Sequence, residues 1–123
     1  MDEMIKVTAG EGRFQINARA LRCGSDWCVT VCGGETPHVG AVALGQYEPT
    51  RDSATVSTVT VHTHRDDAVA SRFAKAIASA RRCTVTVTAG IHVDNAGADE
   101  LAELNNVCAA CLAKLLQAME EET

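Results

Sequence analysis

The amino-acid sequence predicts an α+β fold: a mainly antiparallel sheet of about five strands, with two helices packed on one face. Apolar and polar residues alternate over much of the first half of the chain, which is typical of half-buried strands. The apolar spacing then changes to three and four residues in two later segments, as in amphipathic helices. Consecutive strands joined by short turns favour antiparallel pairing, with the helices on one side of the sheet.

Alternation identifies each strand in turn. In the first, Ile16, Ala18 and Ala20 would share one face with Phe14, while the residues between them are polar. In the second, Trp27 opens an alternation of valines with cysteine and threonine. Gly, Pro or Asp residues bound the segments, as expected of turns. The predicted strands are residues 13–22, 26–32, 38–46, 55–62 and 83–89.

Two segments have helical spacing. Within residues 65–82, Val69, Phe73 and Ile77 lie four apart, and a capping box between Thr63 and Asp66 would begin this helix. The second helix would follow residues 95–97. Its predicted buried stripe comprises Leu101, Leu104, Cys108, Cys111, Leu112, Leu115 and Met119.

Length, charge and composition limit the class of protein. A chain of 123 residues is about one domain long, so we expect residues 1–123 to form a single domain. The net charge of −5 and the four scattered aromatic residues argue against nucleic-acid binding. No apolar run is long enough to cross a membrane, and the start of the chain does not resemble a secretory signal. We therefore expect a cytoplasmic protein with neither nucleic-acid nor membrane partners.

The six cysteines are interpreted as reduced thiols. Cys108 and Cys111 have the spacing of a redox or zinc motif, but both fall on the apolar stripe of the second helix. A thiol in that position behaves as a small hydrophobic side chain. Cys28 and Cys32 do not supply a second pair of zinc-ligand quality, so we expect a structural role.

Three histidines lie where a predicted strand meets a loop or helix. His38, His64 and His92 occupy such boundaries, where a sheet positions side chains and a loop leaves them accessible. Each could be an ordinary surface or structural residue. Together they could instead bind a divalent metal, with Asp67 or Asp94 completing or orienting the site. The spacing matches no recognised zinc motif.

The glycine turn at residues 33–37 also has two interpretations. Gly33 and Gly34 could simply allow the chain to turn. Alternatively, their free amides could bind a phosphate, reinforced by Arg13, Arg19 or Arg65. No Walker or Rossmann motif is present.

Two further polar groups have ordinary explanations. Asp66 and Asp67, beside Arg65, could form a small polar site, but acidic residues stabilise the first turn of any helix. His62 is expected to face solvent on a strand.

Three segments resemble signature segments of the LpdD-like family, whose members are small accessory subunits or chaperones of gallate-type and other UbiD-like decarboxylases. They are GGETPHVG at residues 33–40, HRDD at residues 64–67 and GIHVDN at residues 90–95. The first is similar to the family's Gly-Gly-x-x-Pro-His-[Ile/Val]-Gly segment. The resemblance extends from about Trp27 to about Leu116, with the segments in the family's order.

The resemblance implies an accessory protein rather than an enzyme. It would bind prenylated flavin mononucleotide, or ordinary FMN, and assist cofactor delivery to, or maturation in, a UbiD-type decarboxylase. A flavin prenyltransferase is a further implied partner, and we expect a homo-oligomer. Because the protein is acidic overall, the flavin phosphate would need local donors, namely the Gly33 and Gly34 amides, His38 or His64, and Arg65. The positions matching the family are Gly33, Gly34, His38, Gly40, His64, Asp67, His92 and Asp94.

Two alternatives remain open at this point. The protein could be a metal-dependent cofactor maturase that holds a divalent cation with His38, His64 and His92. It could also be a purely structural decarboxylase subunit whose histidines stabilise a subunit interface.

Overall fold

A computed structural model of the chain describes residues 4–61 and 66–122. It contains six strands, two α-helices and one short 3-10 turn, so the α+β prediction is confirmed. The elements are β1 (Met4–Ala9), the 3-10 turn (Gly12–Phe14), β2 (Ile16–Cys23), β3 (Asp26–Gly34), β4 (Ala41–Glu48), β5 (Ser53–Thr60), α1 (Asp67–Arg81), β6 (Thr84–His92) and α2 (Ala98–Glu121).

The sheet differs from the prediction in two details. Its strand order is β1-β2-β3-β6-β4-β5, which makes six strands rather than five, and β6 runs parallel to β3. All other neighbouring strands are antiparallel. The prediction omits β1, whose alternation of Ile5, Val7 and Ala9 is short. It also omits the insertion of β6 between β3 and β4, because alternation indicates which face is buried but not which strand lies alongside.

The two faces of the sheet have different compositions. One face is buried in every strand except the edge strand β5, for example along a row in which Ala20, Val29, Val87 and Ala43 are neighbours. Helix α1 covers this face at β4, β5 and β6, and α2 covers it at β1 and β2. Both helices therefore lie on one side of the sheet, as the sequence predicts.

The opposite side of the sheet, which we call the open face, is not covered by either helix. Two rows of side chains define it, and all but one of these residues are exposed. The first row is Met4, Leu21, Cys28, Thr86, Leu44 and Ser57, and the second is Lys6, Arg19, Thr30, Thr88, Val42 and Val59.

Helix α1 packs through the predicted apolar stripe. Phe73 and Ile77 are fully buried, and the chain leaves the helix at Arg82, which has a left-handed φ of 52°. Asp66 is the N-cap residue, so the helix begins later than the predicted capping box implies. Thr63, the other member of that box, lies outside the described residues.

Helix α2 departs from the predicted stripe at its first turn. Leu101 is 55% exposed, whereas Val107, which the prediction omits, is buried. Leu104 packs at the margin of the core. The remaining members of the stripe are buried: Cys108, Cys111, Leu112, Leu115 and Met119.

The six thiols are free, and the core interpretation of Cys108 and Cys111 is confirmed. Burial raises the pKa of Cys111 to about 11 and also raises the pKa of Cys108. Both therefore remain neutral thiols near pH 7, unlike a redox nucleophile. In the described parts of the chain, no helix is long and apolar enough to cross a membrane.

Candidate functional site

The parallel pair of strands brings the signature segments together. Gly34 and His92 are register partners at the ends of β3 and β6. Residues 35–40 then carry the chain to β4, and the Gly40 amide donates to the Ala89 carbonyl (2.8 Å). Segments distant in sequence thus meet at one end of the sheet, because β3 and β6 finish where β4 begins.

His38 and Asp66 form the inner part of this end. His38 Nε2 lies 2.9 Å from Asp66 Oδ2, and the ring's Nδ1 lies 2.9 Å from the Thr36 carbonyl oxygen. The other carboxylate oxygen of Asp66 accepts a hydrogen bond from the Ile91 amide (2.9 Å). Asp66 is only 5% exposed, so these bonds compensate a buried carboxylate. They tie the start of α1 to the end of β6 and to residues 35–40.

His92 and Asp94 form the outer part. His92 Nε2 lies 2.7 Å from Asp94 Oδ1, and the two side chains are 49% and 65% exposed. The His38 and His92 ring centroids are 6.5 Å apart, with their planes at 74°. These two imidazoles therefore lie close together at one end of the sheet. We call His38, Asp66, His92 and Asp94 the histidine site.

Close approach explains the glycines around the site. A Cβ on Gly40 would overlap the Asp66 carboxylate, and a Cβ on Gly90 would overlap the His38 carbonyl. Gly34 has a φ of 76°, and its Cβ would overlap the His92 carbonyl. These positions need glycine because backbone and carboxylate occupy the space that a side chain would fill.

Three amides of the glycine turn already have backbone acceptors. Gly34 donates to the Gln15 carbonyl (3.0 Å), while Glu35 and Thr36 both donate to the His92 carbonyl (2.7 and 3.3 Å). Gly33 is buried against the backbone of Gln15. These contacts favour the turn interpretation of Gly33 and Gly34 over a phosphate-binding nest.

Arg13 borders the outer pair. Its guanidinium donates to the Asp94 carbonyl (2.6 Å) and to Glu100 (3.1 Å). The Asp94 amide in turn donates to Glu35 (2.8 Å). Arg13 Nε is buried and has no acceptor among the residues that the structure describes. The sequence predictions do not assign Glu35 or Glu100 to the site, although Glu35 stands inside the first signature segment.

Several predicted residues lie elsewhere. Asp67 is exposed at the first position of α1. Of the two adjacent aspartates, it is Asp66 whose carboxylate belongs to the site. His62, His64 and Arg65 lie outside the described residues. Across residues 4–61 and 66–122, no group of three or more His, Cys, Asp or Glu side chains could hold a metal ion. The predicted three-histidine centre includes His64 and so extends beyond these ranges.

The local charge is negative apart from the imidazoles. Four carboxylates surround the site: two pair with the histidines, and the other two pair with Arg13. Arg13 shares its charge between Glu35 and Glu100, both partly exposed. A bound anion would therefore depend on the imidazoles, on Arg13 or on an accompanying cation. The carboxylates are Glu35, Asp66, Asp94 and Glu100.

Among solved structures, a chaperone-complex chain resembles this fold over nearly its whole length. It is a chain of the crystal structure of a novel chaperone complex for yeast 20S proteasome assembly, with a TM-score of 0.64 and 15% identity. The similarity covers 98% of this chain and 96% of that chain. At this identity the likeness concerns the fold alone.

Sequence comparison is more specific. The chain is 29% identical over 91 residues to Protein LpdD of Lactiplantibacillus plantarum, covering 74% of this chain and 67% of that protein. The model of the prenylated flavin chaperone LpdD-like domain matches residues 10–120, which include all four members of the histidine site. The resemblance predicted from the three signature segments is thus confirmed, and the chain belongs to the LpdD-like family of prenylated flavin chaperones.

Proposed function

We propose that this protein binds prenylated flavin mononucleotide at the histidine site and assists its delivery to, or maturation in, a UbiD-type decarboxylase. The observation that carries the proposal is the convergence of His38 and His92, from separate signature segments, with ring centroids 6.5 Å apart. This convergence lies inside the matched family domain. The protein would act as an accessory chaperone, with no catalytic residue of its own.

The two histidines would play different parts. His92 is about half exposed and lies at the end of β6, so its ring can reach a ligand without rearrangement of the core. His38 is held by Asp66 and would orient the residues beside the ligand rather than leave its partner. Arg13, whose side chain is 36% exposed, is a nearby cation for the flavin phosphate. Arg65 and His64 are further candidates from the signature segment.

The proposed partners follow from this role. A flavin prenyltransferase would supply the cofactor and the decarboxylase would receive it. We propose that this exchange takes place in the cytoplasm, that residues 1–123 act as one LpdD-like domain, and that the chain forms a homo-oligomer.

The carboxylates favour a second candidate. Glu35, Asp66, Asp94 and Glu100 would repel a dianionic phosphate, whereas a divalent cation between them and the ligand would remove that repulsion. In this version His38, His64 and His92 hold the metal, and the protein is a metal-assisted maturase.

Co-expression with a flavin prenyltransferase tests the proposal. Wild-type protein purified in the dark should carry a species with the absorbance and mass of prenylated FMN. His92→Ala should lose it, whereas Lys75→Ala, an exposed change on α1, should retain it. Loss of the species from wild-type protein on chelation would favour the metal-assisted version.

Activation of the decarboxylase separates the proposal from a structural role. Cells that contain the decarboxylase and the prenyltransferase should show lower decarboxylase activity with His92→Ala than with wild-type protein. If His92→Ala activates normally and wild-type protein binds the decarboxylase without carrying flavin, the protein is a structural subunit.

A further inference from the structure

We infer that the open face is the docking surface for a second copy of this chain, giving a two-fold dimer in which two sheets pack face to face. The inference specifies the surface and the symmetry, and it does not depend on flavin binding. It starts from the distribution of exposed apolar side chains. Among the residues that the structure describes, eight large hydrophobic side chains are exposed, and five of them belong to the open face: Met4, Leu21, Val42, Leu44 and Val59.

The size of the open face suits such an interface. Six strands spaced about 4.8 Å apart, each about 26 Å long, make a surface of roughly 700 Å². Stable protein interfaces bury about 800 Å² on each partner, so the open face is of the right order. Two sheets packed this way form a sandwich with nearly aligned strands.

The charges select one of two symmetries. The two rows of the open face carry Lys6 and Arg19, on neighbouring strands, and no carboxylate. The carboxylate of Asp26, on the same side at the start of β3, accepts a hydrogen bond from the Thr84 amide. A two-fold axis perpendicular to the strands would place β1 and β2, which carry both cations, over β1 and β2 of the second copy. An axis parallel to the strands, between β3 and β6, instead places β1 over β5 and β2 over β4 of the second copy. Like charges are then kept apart, so we choose the parallel axis.

This symmetry also matches shapes across the interface. An axis parallel to the strands keeps each residue at its own level along them, so Leu44 of the second copy faces Leu21. A groove of about 380 Å³ lies at that place, lined by apolar, thiol and hydroxyl groups and by Arg19 at one side. Its lining includes Met4, Leu21, Cys28 and Thr86. Leu44 of the second copy would fill this groove, twice per dimer.

The second row fits the same arrangement. Arg19 would face Val42 of the second copy, and Lys6 would face Val59, so that their aliphatic stems cover the valines while the charges reach the rim. At the centre, β3 would face β6. The hydroxyls of Thr30 and Thr88 can there hydrogen bond to each other, because each can donate and accept.

The molar mass in solution tests whether the open face is the dimer interface. Sedimentation equilibrium of wild-type protein should give twice the 13.0 kDa chain mass at high concentration. Leu44→Arg should give the monomer mass, with unchanged circular dichroism. Leu101→Arg is the matched control, because Leu101 is an exposed leucine on α2 away from the open face, and it should stay dimeric. A wild-type monomer at every concentration, or a dimer in Leu44→Arg, would overturn the inference.

Two substitutions of opposite charge at Val42 test the symmetry of the dimer. Val42→Glu should retain the dimer because the carboxylate meets Arg19 of the second copy, whereas Val42→Lys should dissociate it at least tenfold more readily. Equal weakening by the two substitutions would exclude the proposed axis.

Wild-type protein alone provides a further check that requires no variant to fold. The exposed thiol of Cys28 lies at the proposed interface. Its alkylation should slow severalfold as protein concentration rises into the dimer range. An alkylation rate independent of concentration would contradict the interface.

Discussion

The two histidine–aspartate pairs have similar hydrogen bonds and opposite surroundings. In the inner pair, His38 lies 2.9 Å from Asp66, whose side chain is 7% exposed and also binds the Ile91 amide. In the outer pair, His92 lies 2.7 Å from Asp94, and both side chains are open to solvent. The difference indicates that the inner pair holds three segments together, while the outer pair is available to a ligand.

Burial determines how much each pair contributes to stability. In a buried pair, removing one partner leaves the other without a hydrogen bond, because water cannot enter to replace the lost group. An exposed pair exchanges its hydrogen bond for water at little cost. Although the two contacts have similar lengths, loss of the inner one should lower stability, whereas loss of the outer one should mainly affect ligand binding.

The largest expected effect is at Asp66. Asp66→Ala would leave the Ile91 amide and the His38 ring without their acceptor, and should lower the free energy of unfolding by about 3–5 kcal/mol. Asp94→Ala, the matched change in the outer pair, should lower it by less than about 1 kcal/mol. Urea denaturation of the two variants measures both. Equal losses would mean that burial does not distinguish the pairs.

A smaller effect is expected at Gly40, which packs against the inner pair. Gly40→Ala places a methyl group where the Asp66 carboxylate lies, and should lower the free energy of unfolding by about 1–3 kcal/mol. Gly97→Ala is the control, because a Cβ there meets only Glu100 Oε1, at 4.0 Å. We expect that control to lose less than about 1 kcal/mol through weaker helix capping. A Gly40→Ala variant as stable as wild type would show that Asp66 can move aside freely.

The buried and the exposed thiols can be compared in the same way in the wild-type protein. Burial raises the pKa of Cys83 and of Cys111 to about 11, so the reactive thiolate of each is scarce at pH 7.5. An alkylating reagent should leave Cys83, Cys108 and Cys111 unmodified in dilute native protein while Cys23 and Cys28 react. All six should react after denaturation. Mass spectrometry counts the modified sites, and rapid native labelling of Cys111 would contradict its place in the core.

Local pattern was sufficient for most of the fold. Alternation in β2 and β3 and the four-residue spacing in α1 are direct consequences of burying one face, so they predict these elements well. The parallel pairing of β3 with β6 was not predictable in this way. It depends on which strand fills the centre of the sheet, and that is decided by packing between elements distant in sequence.

The histidine site was predictable in part for the same reason. His38, His92 and Asp94 stand at strand ends, where accessible groups are often displayed, and their segments resemble the family's signatures. Asp66 was assigned to the ordinary role of a first-turn acid, because nothing in its local sequence indicates that it is buried against Gly40 and Ile91. Glu35 and Glu100 belong to the site through Arg13, a contact between segments that lie far apart in the chain.

Titration of prenylated FMN into purified variants tests the central claim most directly. His92→Ala should weaken binding roughly ten- to a hundredfold, the loss of a charge-assisted hydrogen bond, with an unchanged free energy of unfolding. His38→Ala should weaken both binding and stability, because it also releases Asp66. Lys75→Ala should bind as wild type. Wild-type affinity in His92→Ala, with the fold intact, would contradict the assignment of the histidine site to the flavin.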